Sequence, residues 1–314
     1  TKGLLLSAPI PQFIGNAAPV VNGGTIRNIG LEIESGVRDI IGSFNYDVSF
    51  TATFNDNEVT EINNDEGRLF GASVSTSMNN VAMAQVGFPI AFFWGYETAG
   101  IFQSDEEALN YVGPDGELLL PDAQAGDLIF VDQNGDGIIN DEDRVQIGNP
   151  YPDFTLGLNL NTGWKNWDIN MLWYGAFGQD IFTGGTRRHD LNMPNWKDSV
   201  LDRWTEENPS NSHPRVTIND PNGNYARPSD FFIEDGSFVR LRNMAIGYTL
   251  HSELVNQIGA SRLRFYVAAQ NLLTFTGYSG HDPEIGAQGA LNVGIDRNIY
   301  PQARTYTFGV NLDF

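Results

Sequence analysis

The chain has 314 residues, of which 41% are hydrophobic, 12% are aromatic and 34 are glycine, a composition that suits a β-protein with many turns better than a helical one. Its formal net charge of −21 argues against nucleic-acid binding, because phosphates require a basic surface. The chain has no cysteine, which excludes disulfides and thiol chemistry, and no apolar run is long enough for a transmembrane helix.

The first predicted elements are strands. Residues 2–6 are expected to be the tail of a strand, and the opening residues lack a signal peptide and are typical of the interior of a longer chain. Residues 28–38 form the next predicted strand. In residues 44–55 apolar and polar side chains alternate strictly, which predicts a strand with two distinct faces. Its length of about a dozen residues favours a bilayer-crossing strand, about 9 to 11, over the soluble mean of about 5 or 6.

A long acidic connection is predicted over residues 56–153. Between Asp56 and Asp153 there are 19 Asp and Glu residues against Arg68 and Arg144, so this segment carries −17 of the total charge of −21. Such a segment is expected to face solvent as a long extracellular loop.

Residues 132–143 of this acidic segment carry the sharpest local motif, DQNGDGIINDED. Aligned with the 12-residue EF-hand loop, it has Gly137 at the sixth position and six expected calcium ligands: Asp132, Asn134, Asp136, the Ile138 carbonyl, Asn140 and Asp143. The last position departs from the usual bidentate glutamate. The motif predicts a structural calcium ion that braces an outer loop, and the alternative is an Asp/Asn/Gly-rich turn without metal.

The second half of the chain is again predicted to be strands. Residues 154–177 form a hairpin around a Lys165-Asn166 turn, and three more strands are predicted at 238–250, 263–275 and 304–314. A shift in the apolar set predicts a bulge near Arg242 and Asn243, and one helical turn is expected within 252–258. Short links alternate with long ones, as periplasmic turns and outer loops do in outer-membrane barrels.

Aromatic side chains at the strand ends are expected to lie at the membrane interfaces: Trp164, Trp167, Tyr174 and Phe177. A soluble β-sandwich would use the same residues as core. The last residues alternate from Tyr306 up to a terminal Phe314, an ending that is typical of the final strand of outer-membrane proteins and favours the membrane barrel.

Motifs along the whole chain resemble the SusC/RagA family of TonB-dependent outer-membrane transporters from Bacteroidota. In the first half they are residues 27–33 (RNIGLEI), 86–89 (VGFP), 95–96 (GY), 100–103 (GIFQ), 126–130 (GDLIF), 132–137 (DQNGDG) and 147–154 (IGNPYPDF). In the second half they are residues 229–231 (SDF), 233–241 (IEDGSFVRL), 270–272 (QNL), 278–280 (YSG), 282–284 (DPE), 300–301 (YP) and 304–306 (RTY).

The resemblance implies an all-β fold, in which the chain is the C-terminal part, about seven to eight strands, of a large antiparallel transmembrane β-barrel with long extracellular loops. It implies no enzyme but a nutrient importer of the outer membrane, for glycans or peptides. A SusD-like surface lipoprotein would cap the barrel, TonB would act on the plug in the N-terminal part that this segment lacks, and further outer-membrane lipoproteins are possible partners. A chain of this length cannot close a 22-stranded barrel, so a fragment or a split transporter is expected.

Two alternatives remain open. A SusC-like barrel could serve as a structural or assembly subunit without transport, and a secreted calcium-dependent β-domain could bind carbohydrate. The four histidines, His189, His213, His251 and His281, lack metal-ligand spacing and are expected on solvated loops. The loop aromatics are candidates for ligand contact, although loop packing is the favoured interpretation: Trp94, Trp196, Trp204 and Tyr225.

Overall fold

The computed structural model describes residues 2–7, 20–71, 73–74, 78–184, 198–257, 259–287 and 289–314. Its strands, in chain order, are β1 (Lys2–Ser7), β2 (Val20–Ile41), β3 (Phe44–Ile62), β4 (Arg68–Phe70), β5 (Ala82–Gln85), β6 (Phe92–Gly95), β7 (Thr98–Ile101), β8 (Leu128–Phe130), β9 (Val145–Gly148), β10 (Phe154–Trp164), β11 (Trp167–Phe177), β12 (Asp180–Phe182), β13 (Ile233–Asp235), β14 (Phe238–Thr249), β15 (Arg262–Thr276) and β16 (Thr305–Asp313).

Helices are few and short. Among the described residues there are two single-turn α-helices, α1 (Asp105–Leu109) and α2 (Ser252–Asn256), and three 3₁₀ turns at Asp141–Asp143, Asp198–Asp202 and Asp230–Phe232. Helix α2 is the predicted helical turn. In the described part of the chain, no helix combines the length and the apolar character that crossing a membrane requires.

One antiparallel sheet of eight strands forms the wall of the molecule. Its order is β1-β2-β3-β10-β11-β14-β15-β16. Each strand of this sheet pairs with the sheet strand that precedes or follows it in the chain, and the remaining short strands lie in the long connections. This is the meander predicted from the alternating strands, and its bounds at β10, β11 and β14 agree with the prediction to within a residue or two. The all-β prediction, with its seven full strands and a partial eighth, is confirmed.

Strands β2 and β3 are both longer than the alternation of apolar and polar residues predicted. Strand β3 continues past Asn55 to Ile62, where Ile62 pairs with Gly24 of β2. The added residues, 56–61, include acidic and amide side chains, so the apolar alternation stops although the backbone ladder does not. Because only the part of a strand that contacts lipid needs an apolar face, the sequence pattern marks the membrane crossing rather than the end of the strand.

From β2 to β16, the strand register gathers the apolar faces on one side of the wall. Leu31, Phe54, Phe154 and Phe177 lie in one row across β2, β3, β10 and β11. At the other edge Phe308 of β16 pairs with Val267 of β15 and is 79% exposed. A continuous, exposed apolar face of this kind is stable against lipid and costly in water.

The predicted bulge lies on β14. The pairing of β11 with β14 shifts between Leu172 and Trp173, so Arg242 is an extra residue relative to β11. The pairing of β14 with β15 shifts between Leu241 and Asn243, and here the extra residue is on β15, because Asn271 and Leu272 together oppose Arg242. Opposite it, Asn271 of β15 adopts a left-handed backbone with φ +52°, a conformation that Asn tolerates better than most residues.

The three long connections of the sheet, which join β3 to β10, β11 to β14 and β15 to β16, are the outer loops. Their described residues pack together into one unit, the outer-loop body. Its main core joins residues from three successive outer connections: Met78, Val81, Ala82, Phe93, Tyr96, Ile101, Phe102, Ala108, Leu120, Leu128 and Phe130 from the first, Phe182, Trp204, Tyr225, Phe231 and Phe232 from the second, and Ile295 from the third. Segments that the sequence suggested were loops therefore contain short strands, β4 to β9, β12 and β13, that bury apolar side chains.

Candidate functional site

The polar face of the wall is lined by amides, ion pairs and glycines. One row crosses six strands through Asn45, Gly163, Asp168, Gly247, Tyr266 and Gly309. Each glycine in this row is covered by a long neighbouring side chain: Asn45 over Gly163, Arg264 over Gly247 and Tyr266 over Gly309. The glycines thus allow large polar side chains to lie flat against the wall, which keeps this face smooth and open.

Ion pairs neutralise much of the charge on the polar face. Arg264 reaches across Gly247 and binds Asp168 of β11 with both nitrogens, Nε to Oδ1 at 2.8 Å and Nη2 to Oδ2 at 2.5 Å. Nearer to the turn between β2 and β3, Arg38 binds Asp47. Polar side chains on the inner face of a barrel are the feature that lets hydrophilic solutes pass.

A buried ion-pair cluster ties the last outer loop to the polar face. Arg240 of β14 is only 3% exposed at its side chain and donates to Asp282 at 2.5 Å and to Glu284 at 2.9 Å. Glu284 also accepts from Arg242 at 2.6 Å, and the Arg242 guanidinium lies 4.1 Å from the centre of the Tyr174 ring. Since a buried arginine is stable only when its charge is compensated, these contacts fix the loop against the wall.

Tyr174 corrects one prediction about the interfacial aromatics. It pairs with Gly157 and Arg240 on the polar face, so it does not lie in the lipid-facing girdle. Trp164, Trp167 and Phe177 do lie on the apolar face. Trp167 packs on Tyr248 with ring centres 4.8 Å apart at the turn end, and Phe177 stacks on Phe154 at 4.9 Å at the loop end. The two aromatic pairs mark the two ends of the apolar face.

A second buried network joins two outer loops to each other. Asp127 is fully buried and accepts two hydrogen bonds from Arg215, at 2.6 and 2.8 Å, and one from Asn224 at 2.7 Å. The backbone N–H of Gln124 donates to it as well, at 2.9 Å. With four hydrogen-bond donors the Asp127 carboxylate is fully satisfied. Its role is therefore structural: it holds the first outer loop against the second.

The predicted calcium loop folds as a tight series of side-chain turns. Asp132 accepts from the N–H groups of Gly135 at 2.7 Å and Gly137 at 2.9 Å, and both glycines have positive φ, +73° and +87°. The fully buried Asp143 accepts from Asn140 N–H at 2.7 Å. Asn134, Asp136 and Asn140 accept from the N–H groups of Asp136, Ile138 and Glu142 in turn.

The loop brings some of its predicted ligands together but not all. Asp143 lies within hydrogen-bonding reach of Asp132. Desolvation raises the pKa of Asp132, yet the N–H donors of Gly137, Gly135 and Asp136, together with Asp143, bring it below its usual value. Within the described ranges no three carboxylate or imidazole side chains meet in a metal-binding arrangement.

The loop aromatics serve the core. Trp94, Trp204 and Tyr225 are buried, which agrees with loop packing, and Trp196 lies outside the described residues. The indole N–H of Trp94 donates to the Arg144 carbonyl at 3.1 Å, and the Arg144 guanidinium lies 3.5 Å from the Trp94 ring centre. Of the histidines, His189 falls outside the described residues, His213 is half-buried, and His251 and His281 are exposed.

The chain matches no protein-family model, but it is similar over its full length to TonB-dependent receptors. It is 30% identical over 323 residues to TonB-dependent receptor P3 of Formosa agariphila, covering 100% of this chain and 31% of that protein. It is 25% identical over 325 residues to TonB-dependent receptor SusC of Bacteroides thetaiotaomicron, covering 100% of this chain and 29% of that protein.

A solved structure, that of the RagAB peptide transporter, has the same fold. It superposes with a TM-score of 0.74 at 21% identity over 100% of this chain and 32% of the matched chain. This chain therefore spans about a third of the length of the relatives that it matches. Receptors of this kind are β-barrels of the outer membrane, which is where the protein is located. The chain is a β-barrel segment that belongs to the SusC/RagA family of TonB-dependent receptors.

Proposed function

We propose that the full-length protein imports a nutrient across the outer membrane with energy supplied through TonB. The observation that supports this most is the wall itself, whose apolar face is continuous while its other face is lined by amides and internally paired charges. The full-length similarity to TonB-dependent receptors supports the same function.

A SusD-like surface lipoprotein is the proposed partner at the outer loops, and TonB is the proposed partner of a segment beyond this chain. The relative named SusC and the RagAB complex support the first of these. Further outer-membrane lipoproteins are possible additional partners. The packed body of the outer loops, with its shared core, offers such a lipoprotein a preformed surface rather than separate flexible loops.

Uptake measurements test the import function. We expect deletion of the full-length gene to abolish accumulation of a labelled oligosaccharide or oligopeptide, and a protonophore to have the same effect on the wild type, because TonB draws on the proton gradient of the inner membrane. Complementation with the wild-type gene should restore uptake. If uptake persists in the deletion strain while a complex of outer-membrane proteins falls apart, the protein is instead a structural subunit.

Calcium binding at residues 132–143 is a separate proposal. The proximity of the Asp132 and Asp143 carboxylates and the two positive-φ glycines support it. We expect terbium, a luminescent substitute for calcium, to bind the full-length protein and to be displaced by calcium. Asp132→Asn with Asp136→Asn should abolish the luminescence, whereas the matched pair Asp65→Asn and Asp202→Asn should not. Unchanged luminescence in the first variant would mean that residues 132–143 form a turn that does not bind calcium.

A further inference from the structure

A cleft of about 490 Å³ lies on the outer-loop body, away from the wall. One side is formed by the segment 115–122, another by residues 137–139 at the end of the DQNGDG motif, and the third by residues 221–227. It is separate from the polar face of the wall and from the Arg240 cluster, and it shares residues 137–139 with the proposed calcium loop.

The walls of the cleft are aliphatic. Leu118 and Leu119 are half-buried, and Ile138, which lines the same cleft, is 62% exposed. An exposed isoleucine beside two leucines leaves apolar surface in contact with water, and a hydrocarbon chain of matching width would remove it.

The mouth of the cleft is acidic. Asp115, Glu117 and Asp122 line it and are all exposed. In the part of the chain that the structure describes, none of the three forms an ion pair; the pairs of this loop and the next involve Arg68, Arg144 and Arg215 with other carboxylates.

The single cation of the cleft, among its described residues, is turned away from the mouth. The Arg227 guanidinium lies 5.5 Å from the ring centre of Tyr96 and 5.0 Å from that of Phe130, and its Nη1 is sealed from solvent. Two aromatic faces hold this charge in the interior, so it does little to neutralise the carboxylates at the mouth.

We infer that the cleft binds the lysine side chain of a peptide. A lysine joins an aliphatic stem of four carbons to a compact ammonium group. The stem fits the Leu118, Leu119 and Ile138 walls, and the ammonium then lies among the three carboxylates. An uncharged chain would leave the carboxylates unpaired, and an anionic one would be repelled. The inference does not depend on transport, because it concerns a site on the outer loops alone.

Capped pentapeptides test the site on the purified full-length protein in detergent, with calcium present throughout. The probe is acetyl-Gly-Gly-Lys-Gly-Gly-amide, whose only charge is the lysine, and the reference replaces lysine with norleucine, which keeps the stem and removes the charge. We expect the lysine peptide to bind roughly tenfold more tightly, in line with a few exposed ion pairs, and to weaken as salt is raised.

Matched variants locate the site. Asp115→Asn, Glu117→Gln and Asp122→Asn together should remove the preference for lysine, whereas Asp65→Asn, Glu106→Gln and Asp202→Asn remove the same charge from exposed positions outside the cleft and should leave it intact. Equal affinities for the two peptides, no measurable binding of either, or an equal loss in both triple variants would each overturn the inference.

Discussion

At the scale of single residues, the wall depends on glycines that make room for long polar side chains. Gly247 lies beneath the guanidinium of Arg264, which passes over it to reach Asp168 two strands away. A side chain at position 247 would occupy the space that the arginine fills. The sequence shows the glycine but not this role, because the residues that cover it come from a neighbouring strand.

Gly247→Ala is therefore expected to displace Arg264 and break its pair with Asp168. The displaced atoms are the far end of a flexible side chain, so the expected cost is that of losing a partly exposed ion pair, about 1 kcal/mol. The measurement is the unfolding temperature of the full-length protein in detergent, followed by the gel-mobility shift that barrels show on heating. Gly277→Ala is the matched control, since nothing lies within 4 Å of its added carbon. Equal unfolding temperatures for the two variants would contradict this role of Gly247.

The buried Arg240 cluster makes a graded prediction. Arg240→Met leaves Asp282, which is 8% exposed, buried without its partner, and breaking such a pair costs about 3–5 kcal/mol. Glu284→Gln removes a charge that is 36% exposed and should cost less than about 1 kcal/mol. Protease cutting within residues 277–304, compared between the two variants, measures how firmly the loop is held. Equal cutting would show that the cluster does not anchor the loop.

At the scale of elements, the bulge of β14 against β11 is where sequence and structure agree in detail. The move of the apolar set from Leu241 to Met244 predicts an extra residue, and the pairing with β11 places it at Arg242. The prediction succeeds because side chains alternate with a period of two, so a single inserted residue must exchange the faces. The left-handed Asn271 opposite the bulge could not be foreseen from alternation alone.

Asn271 allows the backbone of the bulge to be tested. Asn271→Gly and Asn271→Val both lose the side-chain hydrogen bond to the Ala303 carbonyl, but only valine is strained at φ +52°. Because a left-handed conformation costs about 1–2 kcal/mol for most residues, the valine variant should unfold at a lower temperature than the glycine variant. If valine were as stable as glycine, the bulge would have another geometry.

At the scale of the whole molecule, alternation in the sequence predicts the wall but not the outer-loop body. The wall is foreseeable because lipid imposes one rule on every crossing strand. The outer loops obey no such rule. Their core joins Phe130, Phe232 and Ile295 from three separate connections. These contacts are between residues far apart in the chain, so a local sequence pattern does not predict them. For the same reason the sequence does not predict that Asp127 binds Arg215 and Asn224.

The same limit applies to the candidate sites. The proposed calcium loop is visible in the sequence because its expected ligands all lie within residues 132–143. The Arg240 cluster and the Asp115 cleft are assembled from distant segments, so the sequence shows their residues without their proximity.

The central claim is that one face of the wall contacts lipid and the other lines the barrel interior. This chain has no cysteine, so once any cysteines outside it have been replaced with serine, single cysteines can be placed along β10 in the full-length protein, at each position from Thr155 to Asn161. After labelling in outer membranes with a membrane-impermeant maleimide, the account predicts reaction at Thr155, Gly157, Asn159 and Asn161 and protection at Leu156, Leu158 and Leu160. Uniform labelling, or the opposite alternation, would contradict the membrane-spanning wall.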